Sequence, residues 1–200
     1  MTDLFAEKAT DWDALPLPQQ VPEGVTTALL ARVPLGADDV VLDFGAGTGL
    51  LSERLAPGVA TVLAVDVSPA MLAQLAAKPA LHGKVEPICQ DLLTTPLDRR
   101  VTRVVSAMAL HHVADTDALL RALFAHLEPG GRLALADLDR EAGDFHPPGT
   151  EGVYHHGFDR ARLAASMADA GFTEIAIETA CPLVKETRPY TIFLATATRP

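Results

Sequence analysis

The stretch Val40-Val41-Leu42-Asp43-Phe44-Gly45-Ala46-Gly47-Thr48-Gly49-Leu50-Leu51-Ser52 limits the folds open to this chain more than any other. A β-branched apolar run passes into three alternating glycines and then into a helical pattern, which reads as strand, tight turn, helix. Glycine suits such a turn because the backbone must bend sharply, and because a ligand can approach where a Cβ would collide. A segment of this kind is the opening unit of an α/β sheet.

The rest of the chain agrees with that plan. The runs Val40–Phe44, Thr61–Val67, Val85–Cys89, Val101–Ser106 and Arg132–Leu138 are almost continuously apolar, as parallel strands covered on both faces are. They alternate with helical patterns, which predicts βαβ units and a doubly wound sheet. Leu119, Leu120, Leu123, Phe124 and Leu127 form one stripe on a helix from Thr116 to Leu127, capped by Asp115 or Thr116 and stopped by Pro129-Gly130-Gly131. Asp159 is the expected N-cap of a later helix, with Phe158 and Leu163 as its hydrophobic staple and Gly171 at its C-terminal end. Two further strands, Glu174–Thr179 and Tyr190–Thr198, follow with no helix between them. Antiparallel pairing is expected there, with the last strand at an edge or inserted. One domain over residues 1–200 is the expected organisation. It has a helical lead-in or lid over 1–33 and an irregular insertion over 139–158, containing Pro147-Pro148-Gly149, at the substrate mouth.

Bulk properties narrow the partners. A net charge of −10 and the lack of a Lys/Arg run oppose nucleic-acid binding. Cys89 and Cys181 lie far apart without CxxC spacing, so neither a disulfide framework nor a zinc knuckle is expected. The first residues are acidic and lack an apolar core, and no apolar stretch is long enough to span a bilayer, so a soluble cytoplasmic protein without a membrane partner is expected. The oligomeric state is not encoded in any pattern found.

The second strand ends at Val65-Asp66, at the distance from the glycine turn where dinucleotide folds place a ribose-binding carboxylate. A carboxylate can accept from two adjacent hydroxyls, which explains the residue type. A GxGxxG phase would put its third glycine at position 50, which is Leu50; the glycine is one residue earlier, at Gly49.

With these residues in view, the chain resembles the class I S-adenosylmethionine-dependent methyltransferases, nearest to the small-molecule and quinone group. VLDFGAGTG is similar to the family's first motif and LAVDVSPAML to its second. CQDLL, VVSAMALHHV and LEPGGRLALADL follow in the family's order from Val40 to Leu138, and the tail matches its final hairpin. The resemblance implies a Rossmann-like, doubly wound, mostly parallel seven-stranded sheet with an antiparallel C-terminal strand and helices on both faces. It implies S-adenosylmethionine as cofactor, S-adenosylhomocysteine as product and a small-molecule acceptor. It also implies that Gly45 and Gly47 bring backbone against the methionine part, that Asp43 helps hold its ammonium group, and that Asp66 binds the ribose hydroxyls. Val67 and Met71 would pack near the adenine, although either could be plain core. Asp91 would accept from the exocyclic amine with Leu92 close by, and Ser106, Ala107 and Met108 would line the sulfonium side.

Methyl transfer from a sulfonium depends chiefly on holding nucleophile, carbon and sulfur in line, which is worth roughly 7–11 kcal/mol. An acceptor hydroxyl or carbon acid adds the need for a base. His111 is the candidate base because it follows the fourth strand, while the recurrence of such a pair in relatives of differing chemistry favours a pocket-shaping role. His112, His146, Tyr154, His155, His156 and Trp12 are candidate substrate contacts; Trp12 is either part of a lid or packed on the body. No metal site is expected, since adjacent His111 and His112 should project apart and no i, i+4 partner exists. Competing readings are an NAD-dependent oxidoreductase, opposed by the glycine phase and the lack of a Tyr-x-x-x-Lys pair, and a non-catalytic protein that binds S-adenosylmethionine.

Overall fold

The structure, a computed structural model, describes residues 3–200. Its strands are β1 (Val40–Phe44), β2 (Thr61–Asp66), β3 (Val85–Cys89), β4 (Val101–Ala107), β5 (Leu127–Leu138), β6 (Thr173–Lys185) and β7 (Arg188–Thr198). The helices are α1 (Pro16–Arg32), α2 (Leu50–Leu55), α3 (Pro69–Ala76), α4 (Thr116–His126) and α5 (Arg160–Asp169). All seven strands form one sheet in the order β3-β2-β1-β4-β5-β7-β6. Pairing is parallel from β3 across to β5, and β7 is inserted antiparallel between β5 and β6. The expected Rossmann-like architecture is the observed one.

Alternation along the strands distributes the core. Val41, Val105, Ala136, Ile192 and Leu194 face α1 and α2 through Val25, Leu29, Leu51 and Leu55. Leu42, Val104, Leu135 and Phe193 face α4 and α5 through Leu119, Leu123, Leu163 and Met167. The order of strands reverses between β1 and β4, and the crevice at the carboxyl ends of such a pair is where open α/β sheets bind ligands.

Several sequence-predicted boundaries differ. α4 ends at His126, and β5 starts at once because Leu127 pairs with Val101, so Pro129-Gly130-Gly131 lies inside the strand. β6 and β7 run further than expected, meeting in a hairpin whose tip residue Glu186 has φ +56°. The expected caps are present: Asp115 accepts from Ala118 N at 2.8 Å and Asp159 from Arg162 N at 2.9 Å.

The lead-in divides in two. α1 is core, with Val25, Leu29 and the following Val33 fully buried, and Arg32 forms an ion pair with Glu178 of β6. Residues 3–15 reach the carboxyl ends of β1 and β2, where Asp3 meets Ser68 and Asp13 meets Thr48, while α1 packs its apolar side on the sheet.

Candidate functional site

Local geometry explains the glycine turn. Gly45 N and Ala46 N both donate to Val65 O, at 2.8 and 3.1 Å, which ties the turn to the end of β2. Gly45 (φ +68°) and Gly47 (φ +56°) both lie in the left-handed region. A side chain on Gly45 would collide with the Ala109 side chain after β4, so its bareness serves the packing of β1 on β4. A side chain on Gly47 would meet no atom within 4 Å. That bare backbone faces open space at the switch point.

Asp66 holds this turn from the other side. Its Oδ2 accepts from Gly47 N at 2.7 Å and its Oδ1 from Ser68 N at 2.8 Å. Each oxygen keeps a further lone pair for a ligand hydroxyl. Burial pushes the Asp66 carboxyl up, against the pull of the Ser68 and Gly47 amides. Asp43 is only 1% exposed and accepts from Ser52 Oγ at 2.6 Å. Burial raises its carboxyl to about 7, the Ser52 hydroxyl opposing and the Asp66 charge reinforcing. Beside them Val67 is 51% exposed, an apolar side chain that no core explains. A polar acid pair, a bare backbone and an uncovered apolar side chain suit a nucleoside with an ammonium-bearing tail.

The other cofactor candidates fall into two groups. Asp91 is half-buried and uses Oδ1 to accept from Leu93 N at 2.9 Å. Ala107 ends β4 half-buried, and Met108 follows with φ +59°, a strained setting for a side-chain-bearing residue. Met71 and Leu92 are each 3% exposed and belong to the core. Ser106 corrects the expectation of a lining residue: it is fully buried and donates from Oγ to Phe44 O at 2.8 Å, which ties β4 to β1.

On the far side of β4 the structure gathers histidines. His111 is buried, its Nδ1 is 2.7 Å from Asp137 Oδ1, and its backbone N donates to Asp137 Oδ2 at 3.2 Å. A carboxylate accepts, so Nδ1 carries the proton and Nε2 keeps its lone pair. His146 Nε2 lies 3.1 Å from that Nε2. His112 Nδ1 lies 2.7 Å from Gly152 O, which fixes the same tautomer. Burial pushes both His112 and His146 down to about 4, with His111 adding to the effect. The expectation that His111 and His112 diverge is corrected: the 3-10 turn Leu110–His112 sets their ring centroids 4.1 Å apart.

Of the remaining candidates, Tyr154 keeps its side chain exposed while its backbone N donates to His111 O at 2.9 Å. His155 is turned to Val113 O at 2.9 Å, and His156 is exposed beside Glu141. Trp12 is half-buried and packs edge-on to Phe5, which packs edge-on to His112. Residues 3–15 also reach the carboxyl ends of β1 and β2 through Asp3, which accepts from Ser68 Oγ at 2.9 Å, and Asp13, which accepts from Thr48 Oγ1. Asp137, Ser52, Asp3 and Asp13 are site residues to which no sequence motif assigns a role. Only Asp137 carried a signal, as an acid within the apolar run of β5.

Residues 41–131 match the family described as a methyltransferase domain. A ubiquinone biosynthesis O-methyltransferase of Xanthomonas oryzae pv. oryzae is 32% identical over 154 residues, covering 72% of this chain and 62% of that protein. The chain spans about half the length of the first curated relatives it matches. Among solved structures, the complex of the Haloferax volcanii Trm112 methyltransferase activator with a putative methyltransferase contains a similar fold. It has TM-score 0.81 and 20% identity, with 100% of this chain and 99% of that one covered. The N-methyltransferase NodS of Bradyrhizobium japonicum with S-adenosyl-L-homocysteine has TM-score 0.75 and 18% identity, with both chains covered in full. Sequence match and fold converge: residues 41–131 are a methyltransferase domain, set in a sheet that solved methyltransferases share.

Proposed function

We propose that the chain, as one domain, transfers a methyl group from S-adenosylmethionine to a small-molecule acceptor. The observation that carries this reading is the Asp66 carboxylate, which spans Gly47 N and Ser68 N beside a turn whose Gly47 has no atom within 4 Å of its Cβ direction. In this reading Asp66 accepts from the ribose hydroxyls, exposed Val67 covers the adenine, and the second oxygen of Asp91 takes its amine. Asp43 answers the ammonium group. When bound, the cofactor supplies an activated sulfonium methyl whose departure leaves a neutral thioether. The protein's task is then alignment and exclusion of water, and residues 3–15 lie where they can cover the edge. His111 is the expected base; Asp137 holds its Nδ1, and its Nε2 faces His146 Nε2 at 3.1 Å.

Calorimetry with S-adenosylmethionine, S-adenosylhomocysteine and NAD tests the reading. Binding of the first two, lost by roughly 10–100-fold in Asp66→Ala, is expected, since hydrogen bonds to a charged group are worth about 1.5–3 kcal/mol. Stabilisation by NAD alone would point to an oxidoreductase. Binding without labelled methyl transfer to any member of a metabolite panel would point to a non-catalytic binder.

A further inference from the structure

We propose that His111, His112 and His146 form a site for one divalent first-row transition ion, with Asp137 as its outer carboxylate. One ring nitrogen from each histidine lies within 4.8 Å of the other two. Two nitrogens each about 2.0–2.1 Å from a shared ion stand about 2.9–3.4 Å apart at ligand angles of about 90–109°. The His111 Nε2 to His146 Nε2 distance of 3.1 Å falls in that range. The third nitrogen needs to close by no more than about 1.5 Å, within reach of ring rotation.

Tautomer and support agree with ligation. His111 and His112 each commit Nδ1 to an acceptor, Asp137 and Gly152 O, which turns their Nε2 atoms, that of His111 facing His146 Nε2, toward a shared ion. A carboxylate behind a ligating imidazole is the usual outer-shell device; it fixes the ring and raises its basicity. Asp137 is itself fully buried and also accepts from Leu138 N at 2.7 Å, so the support is rigid.

His146 is brought in by a built loop. Glu141 Oε2 accepts from Gly143, Asp144 and Phe145 N at 2.7, 2.8 and 3.2 Å. Phe145, 5% exposed, packs edge-on to Tyr190 with centroids 5.0 Å apart. Lys185 Nζ donates to Phe145 O. The loop thus fixes the residue before His146 against β7, and the imidazole is presented to His111 at little further entropic cost.

Three imidazoles without a thiolate suit zinc, iron, nickel or copper, and three protein ligands leave a position open. The ion's binding stands independently of the methyl-transfer reading; its use rests on that reading, in which the open position takes a heteroatom of the acceptor. Where the ion is bound, Nε2 of His111 is a ligand and its role as base lapses.

The test is titration of the chelator-treated chain with Zn²⁺ by calorimetry and with Co²⁺ by absorption spectroscopy. One ion per chain is expected, with cobalt ligand-field bands of a nitrogen-bound site of low coordination number. His146→Ala, a loop change, and His112→Ala should each weaken binding at least about 100-fold, and Asp137→Asn about 10–100-fold. His82→Ala, outside the cluster, should bind as the parent does. Folding of each variant is checked by its thermal transition. S-adenosylmethionine binding is measured on the same metal-free samples, so loss of the metal site and loss of the cofactor reading give separate results. No binding at micromolar ion, or equal binding by the parent and a folded His146→Ala, overturns the proposal.

Discussion

Asp43→Asn should stabilise the cofactor-free protein at alkaline pH while weakening the cofactor. Burial sets the Asp43 carboxyl at about 7, whereas the unfolded chain ionises near 3.8. Between those values the folded protein holds a proton that the unfolded chain has released. Stability therefore falls as pH rises through this window, and the full penalty stands above about pH 7. Roughly three pH units at about 1.4 kcal/mol each give about 4 kcal/mol. Asparagine removes the ionisation but weakens the bond from Ser52 Oγ, at 2.6 Å in the parent, a loss of about 1–2 kcal/mol. The net gain at pH 8 is about 2 kcal/mol, or about 4–8 °C in Tm for a chain of this size. Near pH 4.5 the parent carboxyl is already mostly neutral in the fold, so the gain should vanish or reverse. Scanning calorimetry of both proteins across this range reads the difference directly. A difference that stays flat from about pH 5 to pH 8.5 refutes the account of a costly buried charge.

Binding of an ammonium beside Asp43 should release up to about half a proton per cofactor at pH 7, because a cation favours the charged carboxylate. Calorimetry in buffers of differing ionisation enthalpy measures it, and Asp43→Asn should abolish the release. The two glycines separate packing from ligand space. Gly45→Ala meets the Ala109 side chain at φ +68° and should cost about 2–4 kcal/mol in denaturant unfolding. Gly47→Ala meets nothing within 4 Å; it should cost only about 1–2 kcal/mol, yet lose most of the cofactor affinity. Equal unfolding penalties for the two would contradict this division.

The central sheet was legible because its strands are covered on both faces, and continuous apolar runs such as Val62–Val65 and Leu133–Ala136, all buried, suit no other plan. What escaped was set by pairing partners rather than local pattern. Leu127 reads as the last turn of a helical stripe, but it pairs with Val101 and begins β5. β6 continues past Thr179 through Pro182 to Lys185 because β7 opposes it again after a register shift at Ala180, an arrangement that proline and alternating exposure conceal. α1 reads only as a lead-in, yet Val25, Leu29 and Val33 cover the sheet face left bare beside α2.

The two halves of the site differ in legibility for a physical reason. Asp43, Gly45, Gly47, Asp66 and Val67 are fixed by two adjacent strand ends, so their spacing in the chain maps onto their spacing in the structure. Their individual tasks divide only with coordinates in hand: Gly45 answers Ala109, and Gly47 answers open space. The histidine cluster has no such mapping. His146 stands 35 residues from His111, within an irregular segment whose path is set by Glu141, Phe145 and Asp144 against the β7 face. Asp144, for instance, meets Tyr190 Oη at 3.0 Å. A search for ligand spacing along a helix must miss a set joined by a 3-10 turn and a distant loop. A buried acid in an apolar strand is the one trace such a set leaves in sequence, because Asp137 takes the His111 ring beside the Leu138 and His111 amides to offset its burial. An acid near the end of β5 takes a donor from the neighbouring turn, and the second nitrogen of that donor is where the loop delivers His146.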